Sequence, residues 1–240
     1  MTFRDAAAAA DANAPAPVGL GASYDRVAGE YAARVAGELA GKPLDRALLA
    51  AFAEQVRALG PVCDAGCGPG HVGAFLAALG CDVEGVDLAP GMVAEARRLH
   101  PPDRPAGASA RLTFRVGDLR ALDVADATYG GVVAFYSVIH LAADELGPAV
   151  LEWARALRPG GYALVAFHVA DAEHRPGEAR RLTEWWGRAV DVTFHFLAPE
   201  AVTTACADAG LAVEAVLRRT PYAGVEHASE RAYVLARRPA

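Results

Sequence analysis

A cluster of glycines follows the first strongly apolar stretch of the chain, and an aspartate stands just before it. Residues 62–80 read VCDAGCGPGHVGAFLAALG, with Asp64 ahead of Gly66, Gly68 and Gly70. Glycines at alternate positions let a backbone pass close to a flat, bulky ligand, because no Cβ stands in the way. A carboxylate beside such a turn suits a ligand that carries an ammonium or sulfonium charge, and it suits a pyrophosphate poorly.

The same stretch also satisfies the G-x-G-x-x-G pattern of dinucleotide-binding turns, at Gly68, Gly70 and Gly73. Asp87 lies downstream at the separation where an acid that binds the ribose of a dinucleotide would stand. The pattern alone is weak, so an NAD-dependent oxidoreductase remains an open alternative at this point.

Polar residues follow three further apolar stretches. Asp87 ends the segment VEGVD, Asp118 follows the alternating segment RLTFRV, and Tyr136 and Ser137 lie near the end of GGVVAFYSV. Strands that alternate with helices of this length predict an α/β fold, a parallel sheet with helices on both faces. Ligands of such sheets bind at the carboxyl ends of the strands. These residues and Asp64 are therefore expected to converge on one edge of the sheet.

The remaining segments follow the same two periods. Before the first strand, the segment from Tyr24 to Leu59 predicts two helices that break at GKPLD. We expect further helices over residues 72–79, 90–99 and 143–157 and from Pro199 to Gly210, and strands over residues 62–65, 83–86, 111–116, 130–138, 189–197, 212–219 and 231–238, with one more after the RPGG turn. The Ala- and Pro-rich start predicts a disordered tail over residues 1–21.

Composition limits the classes of function. The chain has 240 residues, 53% hydrophobic and 22% charged, with a formal net charge of -6 and an isoelectric point near 5.6. Such a composition is typical of a globular protein with an ample core. The basic residues are scattered and form no electropositive footprint, so we expect no nucleic-acid partner.

The chain also lacks the signals of a membrane or secreted protein. No apolar stretch approaches the length of a membrane span, and the start MTFRDAAAAADANAPAP lacks the basic opening of a signal peptide. The four cysteines form no C-x-x-C pair, so neither a zinc site nor a disulfide framework is expected. We therefore expect a cytoplasmic protein without a metal site or a membrane partner.

Taken together, these segments resemble a known family. DAGCGPG resembles motif I of the class I S-adenosylmethionine-dependent methyltransferases, VEGVDLAPGMVAEAR their second-strand region, and FRVGDLRAL their adenine-contacting loop. VVAFYSVIHL and ALRPGGYALVAFH resemble their later core motifs, and the order and spacing agree over residues 62–168. The helical leader resembles that of small bacterial members.

The resemblance implies a Rossmann-like fold with a mostly parallel sheet of seven strands and an N-terminal helical cap. It implies one methyltransferase domain over residues 22–240, with the cap at 22–60 and a lid insertion at 169–196. It also implies S-adenosylmethionine (SAM) as the cofactor and transfer of its methyl group to a nucleophilic atom of a small molecule. A protein of this fold that uses the cofactor for other chemistry is a further alternative.

Roles for individual residues follow from the resemblance. Gly66, Cys67, Gly68 and Gly70 would contact the methionine portion of SAM, and Asp64 would bind its ammonium group. Asp87 would accept hydrogen bonds from the ribose hydroxyls. The other implied contacts with the cofactor are Leu88 and Met92 beside the adenine, Asp118 and the backbone of Leu119 at its edge, Tyr136 and Ser137 beside the donor methyl group, and Tyr31 over the methionine carboxylate and methyl group.

Several of these residues also have plainer explanations. Asp64 and Asp87 could cap helices, and Asp118 could be an ordinary turn aspartate. His140 follows the fourth strand and is the candidate general base, although a structural histidine explains its position equally well. The sequence indicates neither the acceptor nor the oligomeric state.

Overall fold

The computed structural model describes residues 19–101 and 110–240 of the chain. Its α-helices are α1 (Leu20–Val35), α2 (Pro43–Val56), α3 (His71–Ala78), α4 (Pro90–Leu99), α5 (Ala143–Ala156) and α6 (Pro199–Asp208), with short 3-10 helices at Glu38–Gly41 and Val138–His140. Three of the helices, α2, α4 and α6, begin with proline, which is pre-set for the first helical turn and needs no backbone partner there.

A sheet of seven strands forms the centre of the molecule, which confirms the predicted fold class. The strands of the chain are β1 (Val62–Ala65), β2 (Val83–Asp87), β3 (Leu112–Val116), β4 (Tyr129–Phe135), β5 (Leu157–Ala170), β6 (Ala179–Trp185), β7 (Arg188–His195), β8 (Ala212–Arg219) and β9 (Glu230–Arg237). The large sheet has the order β3-β2-β1-β4-β5-β9-β8, and β6 and β7 pair separately. Only β9 runs antiparallel to its neighbours β5 and β8.

Apolar clusters cover both faces of this sheet. On one face, Trp153 of α5 and Val202 of α6 are fully buried against the strands. On the other face, Phe52 of α2 and Leu76 of α3 are equally buried. Every residue of β4 is buried, as a central parallel strand between two helical layers requires.

The sheet reverses its winding at β1 and β4. From β1 the chain proceeds outward through β2 and β3, and it then returns to pair β4 with the other side of β1. A crevice forms at the carboxyl ends of the strands at such a switch point. The ends of β1, β2 and β4, at Ala65, Asp87 and Phe135, therefore meet at one edge.

Strand β4 ends earlier than the sequence predicts. Tyr136 has a positive φ of 58°, a conformation that costs energy for a bulky side chain and turns the chain out of the sheet.

The hairpin of β6 and β7 packs on helix α1. Val27 of α1 is buried with Val190 and Val192 of β7. The hydroxyl of Ser23 donates to the carbonyl of Asp191 at 3.2 Å and accepts from its N–H at 2.9 Å. The hairpin occupies the segment predicted as a lid insertion.

Two expectations fall wholly or partly outside the described residues. Helix α1 begins at Leu20, so the end of the predicted tail is helical, while residues 1–18 of that tail lie outside the described ranges. The segment PPDRPAGAS, which its prolines and glycine predict to be a loop, also lies mostly outside them. Within residues 19–101 and 110–240, no helix combines the length and the apolar character that a membrane crossing needs.

Candidate active site

A cavity of about 360 Å³ opens at the carboxyl edge of the sheet. Helix α1 and the loops after β1, β2, β3 and β4 surround it. All but one of the residues proposed to contact the cofactor or to act as the base line it, namely Tyr31, Asp64, Gly66, Cys67, Gly68, Asp87, Leu88, Met92, Asp118, Leu119, Tyr136, Ser137 and His140. Gly70 is the exception.

The three alternate glycines have similar backbones and different surroundings. All have positive φ, at 78° for Gly66, 51° for Gly68 and 81° for Gly70. A Cβ on Gly68 would find its nearest atom in the ring of Tyr31, 3.9 Å away, so this glycine faces the cavity. A Cβ on Gly70 would stand 2.6 Å from the ring of Phe114. Gly70 therefore shapes the turn and permits packing, and it does not line the cavity.

Asp64, next to the last residue of β1, carries a carboxylate that is only 1% exposed. Its Oδ2 accepts a hydrogen bond of 2.9 Å from the N–H of Gly73 in the first turn of α3. Burial is the largest influence on this group, and it raises the pKa to about 7 against the opposing effects of His71 and the Gly73 N–H. Asp64 both caps α3 and lines the cavity, so the two expected roles coexist.

Asp87 ties the glycine turn to the end of β2. Its carboxylate accepts hydrogen bonds from the N–H of Gly68 at 2.8 Å and from the N–H of Ala89 at 2.9 Å. Burial raises its pKa. Each carboxylate oxygen has a second lone pair, so Asp87 can still accept hydrogen bonds from a ligand in the cavity.

Asp118 is oriented by an arginine that the sequence analysis did not identify. The guanidinium of Arg120 donates to both oxygens of Asp118, at 3.0 Å and 2.7 Å, and also bonds Glu145 of α5. Hydrogen bonds from Arg120 lower the pKa of Asp118. Across this part of the cavity, Met92 is 1% exposed and Leu88 is 41% exposed, so one apolar side chain is fixed and the other is open to solvent.

A second polar pair lies beyond Asp64, and the sequence analysis missed it too. Glu38 accepts from Nζ of Lys42 at 2.7 Å and lies 3.2 Å from Nε2 of His71. Burial opposes the charge of Glu38, but the contacts with His71 and Lys42 outweigh it and lower the pKa to about 2. Glu38 and His71 both line the cavity. The Nδ1 atom of His71 is buried and has no hydrogen-bond partner among the described residues.

His140 is held in one tautomer. Its Nδ1 lies 2.9 Å from the carbonyl oxygen of Thr193, and its Nε2 lies 2.7 Å from the hydroxyl of Tyr24. Because a carbonyl only accepts, Nδ1 carries the proton, and the hydroxyl of Tyr24 donates to Nε2. Burial lowers the pKa of His140 to about 4, so the ring is neutral at neutral pH.

An aromatic layer continues from this pair. The ring of Tyr24 lies 5.6 Å from that of Tyr31 and 5.7 Å from that of Trp185, and the ring of Phe194 lies 5.1 Å from that of His140. These edge-to-face and tilted contacts join α1, the hairpin and the loop after β4.

The loop after β4 is fixed by buried polar contacts. The hydroxyl of Tyr136 bonds Asp45 at 3.1 Å and the hydroxyl of Tyr233 at 2.9 Å. The hydroxyl of Ser137 donates to the carbonyl of Ala65 at 2.6 Å. The strained backbone of Tyr136 is therefore held on both sides.

Acidic groups dominate the charge of the cavity. Its carboxylates are Glu38, Asp64, Asp87, Asp118 and Glu145. Arg120 is the only arginine or lysine among the described residues that line it, and its guanidinium is bound to two of these acids. Such a cavity favours a ligand with net positive charge and disfavours a pyrophosphate.

Comparison with known proteins agrees with this chemistry. Residues 62–161 match a family model described as a methyltransferase domain. The chain is 35% identical over 147 residues to the malonyl-[acyl-carrier protein] O-methyltransferase of Enterobacter lignolyticus, an alignment that covers 60% of this chain and 51% of that protein. The chain spans about half the length of the curated relatives it matches.

Solved structures share the fold. The glycopeptide N-methyltransferase MtfA, complexed with SAM, superposes with a TM-score of 0.62 at 22% identity, over 81% of this chain and 94% of that one. The [4+2]-cyclase SpnF superposes with a TM-score of 0.64 at 18% identity, over 91% and 95%.

These findings confirm the resemblance seen in the sequence. Residues 62–161 match a methyltransferase domain, and the chain resembles the class I SAM-dependent methyltransferases. SAM is the cofactor of this family, and the comparisons favour it over the nicotinamide alternative.

Proposed function

We propose that this protein transfers the methyl group of SAM to a nucleophilic oxygen, nitrogen, sulfur or carbon of a small molecule. The observation that supports the proposal most is the row of carboxylates along one cavity. Asp64 and Asp87 lie at the carboxyl ends of β1 and β2, Asp118 follows β3, and all three line the cavity. Three neighbouring strand ends thus present an acid to the same space.

The cavity fits this cofactor. SAM carries an ammonium, a sulfonium and one carboxylate, so its net charge is positive and complements the acidic walls. Asp64, with Glu38 nearby, would hold the ammonium. Gly68 would allow the methionine portion to lie against the backbone, because its missing Cβ would point into the cavity.

The remaining contacts continue towards the purine. Asp87 would accept from the ribose hydroxyls, Leu88 and Met92 would flank the adenine, and Asp118 and Leu119 would bond its edge. In the other direction, the residues proposed around the methionine and the donor methyl group are Tyr31, Gly66, Cys67, Tyr136 and Ser137. Gly70 is not part of this proposal, because it packs against Phe114.

The chain contributes to the reaction mainly by positioning. The bound cofactor supplies a methyl group already activated by a positively charged sulfur. Holding a nucleophile in line with such a group can be worth roughly 7–11 kcal/mol. The aromatic layer of Tyr24, Tyr31 and Trp185 would exclude water from the reacting atoms. This role agrees with the proposed organisation, one domain over residues 22–240 with a cap at 22–60 and a lid at 169–196.

We expect the partner to be a small acceptor, with no nucleic acid or membrane involved, in the cytoplasm. The acidic cavity and the scattered basic residues support this expectation.

Calorimetry with SAM and S-adenosylhomocysteine is the first test of the proposal. Saturable binding of both, lost in Asp87→Ala, is expected, while NAD should produce no heat. Transfer of labelled methyl groups to candidate acceptors then tests the reaction, and the rate should survive a chelator. Absence of binding by folded protein would refute the proposal. Binding without transfer to any acceptor would favour another chemistry on the same fold.

A further inference from the structure

One wall of the cavity lies away from the carboxylates that are proposed to hold SAM. Asp64, Asp87 and Asp118, proposed to hold SAM, lie at the carboxyl ends of β1 and β2 and after β3, whereas the end of β4 and helix α1 present mainly aromatic and apolar groups. On this side Tyr24 and His140 form a polar pair, bonded to one another at 2.7 Å, near the hydroxyls of Tyr31 and Ser137. An acceptor that approaches between α1 and the loop after β4 therefore meets this pair.

The charges around this wall discriminate against an anionic acceptor. Arg120 is the only arginine or lysine among the described lining residues, and it is already bound to Asp118 and Glu145. Lys42 and Arg231 lie 5.3 Å and 5.7 Å from the ring centre of Tyr136. Neither lines the cavity in the part of the chain that the structure describes, and their partners are Glu38 and Glu226.

A carboxylate or phosphate acceptor would therefore lie among like charges without a cation of its own. An uncharged acceptor has no such cost.

The hydrogen bonds around Tyr24 define a direction for a proton. The carbonyl of Thr193 fixes the proton of His140 on Nδ1, which leaves Nε2 as the acceptor of the Tyr24 hydroxyl. Among the described residues, His140 is the only hydrogen-bond partner of that hydroxyl. The oxygen of Tyr24 still has lone pairs, so it can accept a hydrogen bond from a ligand O–H.

We propose that the acceptor is an uncharged hydroxyl compound whose O–H donates to Tyr24, and that Tyr24 and His140 together remove its proton. This inference rests on the proposed methyl transfer and specifies its substrate class. Nucleophilic nitrogen of an amine needs no base before attack, whereas a hydroxyl must lose its proton before or during attack. A built proton acceptor at this wall therefore fits a hydroxyl.

The step balances. The acceptor oxygen forms a bond to the methyl carbon, and the carbon–sulfur bond breaks with its electron pair remaining on sulfur. The acceptor proton moves to the oxygen of Tyr24 while the proton of Tyr24 moves to Nε2 of His140. The imidazolium that forms keeps its Nδ1–H bond to Thr193, with the ring of Phe194 and the imidazole of His195 as its other neighbours. The products are a methyl ether and S-adenosylhomocysteine, and the proton later returns to water.

The primary test does not require turnover. Full-length protein labelled with ¹⁵N-histidine is saturated with S-adenosylhomocysteine and titrated with phenol or with monomethyl malonate, while the His140 nitrogens are followed by NMR. We expect Nδ1 to be protonated and phenol to shift the Nε2 resonance. Tyr24→Phe should lose that shift, and monomethyl malonate should produce none. Protonation at Nε2, no response to phenol, or a response to the carboxylate alone would overturn the inference.

Turnover of paired acceptors provides the second test. Wild-type protein should methylate phenols or alcohols and not the carboxylate of a malonyl thioester. Tyr24→Phe removes the hydroxyl, so it should lower kcat at least about 100-fold. It keeps the ring contacts, so the Kd for SAM should change little. A distant control, Tyr162→Phe, should keep the wild-type rate, since Tyr162 does not line the cavity.

The outcomes separate two failures. If Tyr24→Phe turns over as fast as wild type or faster, His140 acts directly and the relay is wrong. If Tyr24→Phe loses SAM binding and rate equally, the bond between Tyr24 and His140 only stabilises the structure, and the proposed proton transfer through Tyr24 is also wrong. Efficient methylation of the malonyl thioester would refute the substrate class while leaving the methyltransferase proposal intact. Loss of SAM binding in the wild type would instead refute that earlier proposal.

Discussion

The buried carboxylate of Asp64 should make cofactor affinity and protein stability respond to pH in opposite directions. Burial raises its pKa to about 7 in the free protein, whereas an unfolded aspartate titrates near about 3.9. Binding an ammonium group requires the ionised form. The affinity for SAM should therefore fall as the pH falls below 7.

The magnitude follows from the fraction of Asp64 that is ionised. With the pKa at about 7, the ionised fraction is about one half at pH 7 and about one eleventh at pH 6. The Kd for SAM should therefore rise about fivefold from pH 7 to pH 6, and about fiftyfold from pH 7 to pH 5.

The stability of the free protein should change in the other direction. Because the folded pKa is the higher one, the folded state binds more protons between pH 4 and 7, and the free energy of unfolding falls as the pH rises through this window. The difference of about three pKa units corresponds to roughly 4 kcal/mol at most. Asp64→Asn can still accept the hydrogen bond of Gly73, so it should be more stable than wild type at pH 8 and bind SAM more weakly.

Calorimetry and urea unfolding of wild type and Asp64→Asn between pH 5 and 8 measure both slopes. The difference between the two proteins isolates Asp64, because other titrating groups contribute to both. An affinity that changes equally with pH in both proteins would refute the role of Asp64. A variant less stable than wild type at pH 8 would refute the raised pKa.

Four further expectations concern other parts of the site. Gly70→Ala should lower the free energy of unfolding by about 2–5 kcal/mol, since its Cβ would stand 2.6 Å from the Phe114 ring in a left-handed backbone. Gly68→Ala should cost only about 1–2 kcal/mol but weaken SAM binding at least about tenfold in calorimetry, and an unchanged Kd would contradict the cradle. Asp118→Ala should weaken SAM about 10- to 100-fold with little change in Tm. If His140 is the base, kcat should show no inflection near pH 6.5 and should fall only as the pH approaches about 4. The reason is that burial keeps the ring neutral above that pH. An inflection near pH 6.5 would contradict this expectation.

Most of the cavity could be predicted because its residues belong to continuous motifs. Asp64 and Gly68 share one strand and turn, and Asp87 ends the next strand, so local order in the sequence places them at one edge of the sheet. The same local order could not separate Gly68 from Gly70. Both have positive φ, and only the three-dimensional packing shows that one faces the cavity and the other faces Phe114.

Contacts between segments that are distant along the chain could not be predicted from the sequence. Glu38 lies in a 3-10 turn that is far from His71 along the chain, although the two side chains are in contact. No feature of the sequence around Glu38 indicates that it lines the cavity. The position of His71 directly after the glycine turn was a signal that could have been used. Strand β6 was not predicted because most of its residues are exposed, so its sequence lacks the alternation of apolar and polar residues that identifies a strand.

The bond between His140 and the carbonyl of Thr193 makes the chemistry of one side chain depend on the place of another segment. Thr193 belongs to β7, and the carbonyl is 2.9 Å from Nδ1. Any movement that carries the hairpin away frees the ring to take its other tautomer, with a proton where the lone pair is needed. His140 can therefore accept a proton at Nε2 only while the hairpin is packed against it. When the cavity is open, the ring is free to take the tautomer that cannot act as the base.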